Sequence, residues 1–330
     1  MAKPGHFLAV PDSFKGTLSA SEVAEAIGRG VESAGTTTSL CPAADGGEGT
    51  AHVLVDAMGG EWRAAPTHDP LGRSIEARFG LVRDGTAAVV EAAAASGLAL
   101  VAEGERDPEK ASSAGTGELI AAAVKAGARR VLVAAGGTAT MDGGRGAIEA
   151  LQEAGGFPDA TLEVLCDTSV PFEQAAAVFA AQKGASPDQV EQLSSRLIAL
   201  AGTLPRDPRG RAMTGAAGGL SGGLWATFGA HLTPGATFVL GVVGFDSRLE
   251  NADAVITGEG RLDEQSFEGK LVGQVARRCR EARRPLHVIA GSSTIDAATA
   301  NRRGIASISE AGTPEQIEAA AEQIALGLAG

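Results

Sequence analysis

The 330-residue chain is poor in the residues that build metal clusters and disulfide frameworks. Its three cysteines, Cys41, Cys166 and Cys279, are odd in number and far apart, without CxxC spacing. That excludes a zinc site of the usual pattern, and three buried thiols in a reducing compartment are expected. The five histidines, His6, His52, His68, His231 and His287, form no metal-spaced pair. Positive charge is in deficit: 28 Lys and Arg against 40 Asp and Glu give a net charge of −12 and a pI near 5.0. Such a balance argues against a nucleic-acid groove and against an anionic membrane surface. Arg277, Arg278, Arg280, Arg283 and Arg284 come closest to a basic patch, and their spacing reads as a solvated helix face. No apolar run reaches 18 residues, and MAKPGHFLAVPDSF carries no long apolar stretch, so a soluble, cytoplasmic chain is expected.

What the sequence does have is alternation. FLAV at 7–10 ends at Pro11, as a buried first strand would. Ser19 and Ser21 then precede a segment in which Val23, Ile27 and Val31 recur at helical spacing, a capped helix start. TTTSLCPA, RRVLVAA, LEVLCD, DAVITGEG, LHVIAGSS and IASISEAG read as further strands, separated by helical stretches such as TAHVLVDAMGG, GELIAAAVKAG and LVGQVARRCREA. Between about 61 and 100 the pattern shifts to shorter alternating strands with Pro, Asp and Gly turns. The expectation is an α/β protein: a Rossmann-like parallel-sheet domain from 1–60 and 245–330, interrupted by an inserted α/β domain at 61–244.

Five segments share one design, a buried strand emptying into a glycine-rich loop with a carboxylate. They are PDSFKGTLSA (11–20), PAADGGEGT (42–50), GGTATMDGG (136–144), CDTSVPF (166–172) and TGEGRLDEQSFEGK (257–270). In open α/β sheets ligands bind beyond the carboxyl ends of the strands, where loop amides and helix N-termini favour anions. Glycines such as Gly46, Gly47, Gly136, Gly137, Gly258 and Gly260 admit close approach of backbone to phosphate. A tight turn explains any one of these loops. The recurrence of Asp12, Asp45, Glu48, Asp142, Asp167, Glu259 and Asp263 suggests a shared cation, and Mg²⁺ held by one or two carboxylates plus phosphate oxygens fits best. Lys15, Arg261 and Lys270 supply the positive charge phosphoryl transfer requires. Named motifs are missing: no GxxxxGK[ST], no GxGxxG between strand and helix, no protein-kinase HRD or DFG, no GxSxG, no HExxH.

Jointly, PDSFKGTLSA, ADGGEGT, DPLGR, EAAAASGL, GTGELI, GGTATMDGG, QKGA, GAAGGL and ITGEGRLDEQSFEGK resemble the bacterial glycerate kinase family of the two-domain type without a Walker motif. The order of these stretches is kept across nearly the whole chain. The resemblance implies a discontinuous Rossmann-like domain, an inserted α/β domain, an active cleft between them, and ATP-dependent phosphorylation of glycerate to 2-phosphoglycerate. The expected catalytic residues are Asp142, Lys15, Arg261 and Asp263. Substrate or nucleotide would be held by Asp12, Ser13, Gly46, Gly47, Thr116, Gly136, Gly137, Thr138, Lys183, Gly258, Glu259, Gly260, Gln265 and Lys270, and Mg²⁺ by Asp45, Glu48 and Asp263. For Asp142, taking the acceptor proton and capping the helix that follows Gly144 both remain open. Partners are limited to a hydroxy acid and a nucleotide, with no nucleic acid and no membrane, and a homodimer is left open.

The chain departs from the family pattern in places. Where the family usually reads GGSATNDGG, Thr138 and Met141 stand here. An Asn-Pro pair and a GPxGAS turn are replaced by TSVPFEQAAA, FGPQKGA by FAAQKGA, and the connection between Leu151 and Glu163 is short. These changes bear on the acceptor more than on phosphoryl transfer. A longer, four-carbon hydroxy acid and a non-catalytic metabolite or nucleotide sensor are the competing expectations.

Overall fold

The structure, a computed structural model, describes residues 5–156 and 159–329; Phe157 and Pro158, inside the short connection, lie outside them. The chain divides into two compact units, Met1–Asp45 with Ala236–Gly330, and Gly46–Gly235.

The first unit is built on five parallel strands: β1 (His6–Pro11), β2 (Thr37–Leu40), β9 (Ala254–Leu262), β10 (Leu286–Ser293) and β11 (Ile305–Glu310), in the order β11-β10-β9-β1-β2. β1 lies inside the sheet between β9 and β2, and its Leu8, Ala9 and Val10 are fully buried, as a parallel sheet covered on both faces requires. The helix Ala20–Ser33 starts at a capping box, in which Glu22 N donates to Ser19 Oγ (3.3 Å) and Ser19 N to Glu22 Oε2 (2.8 Å). Its Val23, Ile27 and Val31 are buried with Ile317 and Ala321 of the helix Pro314–Ala329. The arginine-rich helix Leu271–Ala282 shows the expected solvated face only in part: Arg277 is exposed and pairs with Glu281, whereas Arg278 is 11% exposed, pairs with Asp246 and lies over the Phe245 ring.

The second unit carries a mixed sheet, β3 (Glu61–His68), β4 (Ser74–Val82), β5 (Ala87–Glu91), β6 (Arg130–Ala134), β7 (Thr161–Cys166) and β8 (His231–Pro234), paired in chain order. The first two pairings are antiparallel and the rest parallel. DPLGR is the β3–β4 turn, closed by Asp69 Oδ1 accepting from Leu71 N and Arg73 N, both at 2.9 Å. Helices Ala114–Lys125 and Arg145–Glu153 cross so closely that a β-carbon on Gly117 would lie 2.5 Å from the Ala147 carbonyl oxygen. That contact requires glycine.

Gly258–Gly260, read from the sequence both as the end of the strand DAVITGEG and as the start of the loop 257–270, belongs to β9, which runs on to Leu262 paired with Ile289–Ser293 of β10. A β-carbon on Gly258 would stand 2.5 Å from the Ile289 carbonyl oxygen, so strand packing alone requires that glycine. After β7, short turns flank the helix Ala175–Phe179. No helix among the described residues is long and apolar enough to cross a membrane.

Candidate active site

In the first unit the carboxyl ends of β1, β9 and β10 and the residues that follow them surround a pocket of about 470 Å³. Asp12, Ser13 and Lys15 follow β1, and Asp45 follows β2. Glu259, Gly260 and Arg261 end β9, and Asp263 and Lys270 come after it. Each of these candidates lines the pocket. Gln265 does not; it is exposed, and its N–H donates to Asp263 Oδ1 at 3.0 Å. Phe14, Thr17, Gly291, Ser292 and Gly312 also line it. The sequence expectation passed over them, although the rule that ligands sit beyond strand ends covers the GSS that closes β10.

The charges in this pocket are in conflict. Asp12 and Asp45 are buried, at 6% and 3% exposure. Burial first, and then the charge of Asp45, push Asp12 well above the usual carboxylate range against the pull of Lys15. Burial likewise raises Glu259 to about 7, opposed by a Ser266 hydrogen bond and by Lys270, and reinforced by Asp45 and Asp263. Glu259 Oε1 is buried and has no hydrogen-bond partner among the described residues. Asp263 is differently placed. It caps the turn Glu264–Phe267 and pairs with the largely exposed Arg261 at 3.3 Å.

The second unit gathers the remaining candidates around the ends of its own strands. Glu48 is exposed, and Gly46 N donates to Thr50 Oγ1 (3.2 Å). The helix that follows, Thr50–Ala57, already has an anion at its N-terminus: the half-buried Glu91 carboxylate accepts from Gly49 N and Ala51 N, each at 3.1 Å. Phosphate therefore has no vacancy at that helix end. Thr116 is fully buried and ties its hydroxyl to Ser96 Oγ at 2.7 Å, a packing role. A β-carbon on Gly136 would lie 2.4 Å from Gly47 Cα, so these two glycines let the loops at 46–47 and 136–137 pack backbone to backbone.

Asp142 is spoken for by its surroundings. Its Oδ2 accepts from Ser113 N (2.9 Å), Ser113 Oγ (2.7 Å) and Gly146 N (3.1 Å), and its Oδ1 from Gly144 N (3.0 Å). One carboxylate thus ties the starts of two helices together: Oδ2 is fully engaged, while Oδ1 accepts one bond and keeps one acceptor site. Ser113, absent from the sequence expectation, completes the joint by accepting from Ala147 N at 3.0 Å. Lys183 is buried, and its Nζ donates to Thr138 Oγ1 (3.2 Å) and Thr140 O (2.8 Å).

A profile of the glycerate kinase family matches residues 7–155 and 153–329. The chain belongs to the glycerate kinase family. It is 40% identical to a Bacillus subtilis glycerate kinase, covering 89% of this chain and 87% of that protein. An Escherichia coli glycerate 2-kinase is 36% identical over the same shares of each chain. The crystal structure of a glycerate kinase 2 candidate from Salmonella typhimurium LT2 superposes with a TM-score of 0.80 at 33% identity, covering 98% of both chains. The protein is therefore a small-molecule kinase.

Met141, expected as a departure from the family pattern, has a physical reason. It is 2% exposed and lies in an apolar cluster with Phe172, Ala175, Ala176 and Ala180, and with Leu193, Leu197 and Ala201 of the helix Pro187–Ala201. An asparagine at 141 would be buried in that apolar cluster.

Lys183 gives a pH signature. Burial lowers its pKa from the usual lysine range to about 8, with Asp142 and Asp167 opposing. The unfolded chain holds that proton to about pH 10.4, so between those values the unfolded state binds more protons and stability rises with pH. Ionisation of the three buried thiols works the other way above about pH 8.5, since each is held above the usual cysteine range by burial. The check is therefore a difference between two denaturation series. Wild type minus Lys183→Met should gain up to about 3 kcal/mol from pH 8 to 10; a flat difference would mean that the ammonium is not penalised.

Proposed function

We propose that the protein transfers the γ-phosphoryl group of ATP to a hydroxyl of glycerate, giving 2-phosphoglycerate, with Mg²⁺ as the accompanying cation. The observation that carries the nucleotide side is the pocket in which Asp12, Asp45 and Glu259 crowd together beside Lys15 and Lys270. Among the described residues no three carboxylates are placed to cage a metal, but Mg²⁺ needs only one or two together with phosphate oxygens and water. Asp12 and Asp45, buried and mutually repelling, would hold it. A cation held there would supply positive charge to offset the charge that develops on transfer. Lys15 and Lys270 attract and orient the phosphates, while Gly260 leaves room for them against the backbone of Phe14 and Lys15. Asp263, busy with Arg261 and its own turn, shapes this rim rather than ligating.

The 2-position follows the name of the E. coli relative. The competing four-carbon acceptor rested on the altered loop at 168–175, but the burial of Met141 in one cluster with Phe172 and Ala175 favours a repacked core over a reshaped substrate pocket. A coupled ADP-release assay with glycerate and four-carbon acids, followed by phosphorus NMR of the product, tests this. Glycerate should give the highest kcat/KM and a 2-phosphate. Turnover confined to longer acids, a 3-phosphate, or no turnover with any hydroxy acid would overturn it.

A further inference from the structure

We propose that Gly136, Gly137 and Thr138 bind the carboxylate of the acceptor acid, and that Lys183 acts as the positioning residue that aims the Thr138 hydroxyl at it. This rests on the hydroxy-acid kinase function proposed above. The loop follows β6, where Leu98 N and Ala139 N bond to Gly137 O and Ser96 O, each at 2.8 Å, and fix its shape. Among the described residues no acceptor is found for the N–H groups of Gly136, Gly137 or Thr138. Gly136 and Thr138 are buried and Gly137 is exposed, so this run of donors is open to an anionic or carbonyl oxygen.

Thr138 adds a fourth donor. An ammonium can only donate, so the bond from Lys183 Nζ makes the Thr138 oxygen an acceptor and leaves its own proton to point elsewhere. Thr138 is 3% exposed, and a buried hydroxyl proton with no acceptor is costly. A ligand oxygen would supply that acceptor. The second bond of Lys183, to Thr140 O, stops the ammonium from swinging away.

Charge decides which anion enters. Asp142 and Asp167 both act electrostatically on Lys183. Asp167 Oδ2 lies 3.5 Å from the point that a β-carbon on Gly136 would occupy, and Glu48 Oε2 3.6 Å from the corresponding point on Gly137. One ammonium among three carboxylates disfavours a multiply charged phosphate. A singly charged carboxylate on the amides, with adjacent hydroxyls donating to Glu48 or Asp167, suits the surroundings.

Steady-state kinetics of Thr138→Val and Thr138→Ser, with glycerate and ATP varied separately, test the assignment. Valine keeps the shape and removes the donor; serine restores it. The expected result is a KM for glycerate raised about tenfold or more in Thr138→Val, with kcat, the KM for ATP and the Ser variant near wild type. Should the valine variant fail to fold, the unmodified protein still answers through NMR. Amide signals of Gly136, Gly137 and Thr138 should then move on adding glycerate and stay in place on adding ATP. An unchanged glycerate KM, a shifted ATP KM, a serine variant as impaired as valine, or amides that respond only to ATP would each overturn the subsite while leaving the kinase function standing. A wild-type protein that neither binds nor phosphorylates glycerate would remove both.

Discussion

Replacing Asp12 with asparagine should reduce turnover by about 10²-fold or more and at the same time make the metal-free protein more stable. The opposite signs come from one cause. Asp12 is buried against Asp45, and its ionised form is disfavoured by both the burial and that neighbour. Asparagine is nearly isosteric and its side-chain oxygen can still accept from Ser13 N, the bond that Asp12 Oδ1 makes at 2.7 Å. The neutral amide therefore removes repulsion without opening a cavity. What it cannot do is share a divalent cation with Asp45 as an anionic ligand. Thermal melts with and without Mg²⁺ separate the two effects. Wild type should gain stability from Mg²⁺ by mass action, about 2.7 kcal/mol at a hundredfold excess over Kd, and Asp12→Asn should start higher and gain much less. Equal Mg²⁺ shifts in the two proteins would take Asp12 out of the cation site, whatever the activity.

How much of this was legible in the sequence depended on whether the deciding partner was local. Ser19 and Glu22 sit three residues apart, and the helix start they announce is where the capping box forms. The buried run at 7–10 is β1, and Asp12, Lys15 and Asp45 were found because strand ends in such sheets carry the ligand loops. GEG at 258–260 reads two ways, as the end of a strand and as the start of a loop, because glycine disfavours strand and local propensity favours a turn. The ladder to Ile289, Ala290 and Ser292 outweighs that propensity, and no nearby residue reveals it. Glu91 is the clearest omission. It caps a helix 40 residues earlier in the chain, and a single carboxylate ending an apolar strand carries no local mark of that task. Met141 shows the converse, a residue noticed as a departure whose meaning appears only beside Phe172 and Ala175.

The same limit applies to Asp142, for which the structure sharpens the choice the sequence left open. A proton acceptor needs a free lone pair directed at the substrate. Asp142 instead receives four donors, three on Oδ2 and one on Oδ1, from Ser113, Gly144 and Gly146. Asparagine cannot reproduce that. With its oxygen set against the three donors, its NH₂ must face the Gly144 N–H, losing one hydrogen bond and opposing two donors. Asp142→Asn should therefore destabilise this unit by about 1–3 kcal/mol, and Asp142→Ala, which strands all four donors, by about 3 kcal/mol or more. Because the chain has two compact units, the melt should be followed by a probe inside Gly46–Gly235, where the lowered midpoint belongs. Activity then discriminates. If Asp142 braces the two helix starts, folded Asp142→Asn measured well below its melting point should keep turnover within about tenfold. If it instead takes the acceptor proton, turnover should fall by about 10²-fold or more with the melting point unchanged. The four donors favour the brace, with one Oδ1 lone pair still open to a proton, and the paired measurement of melting and turnover on one variant decides it.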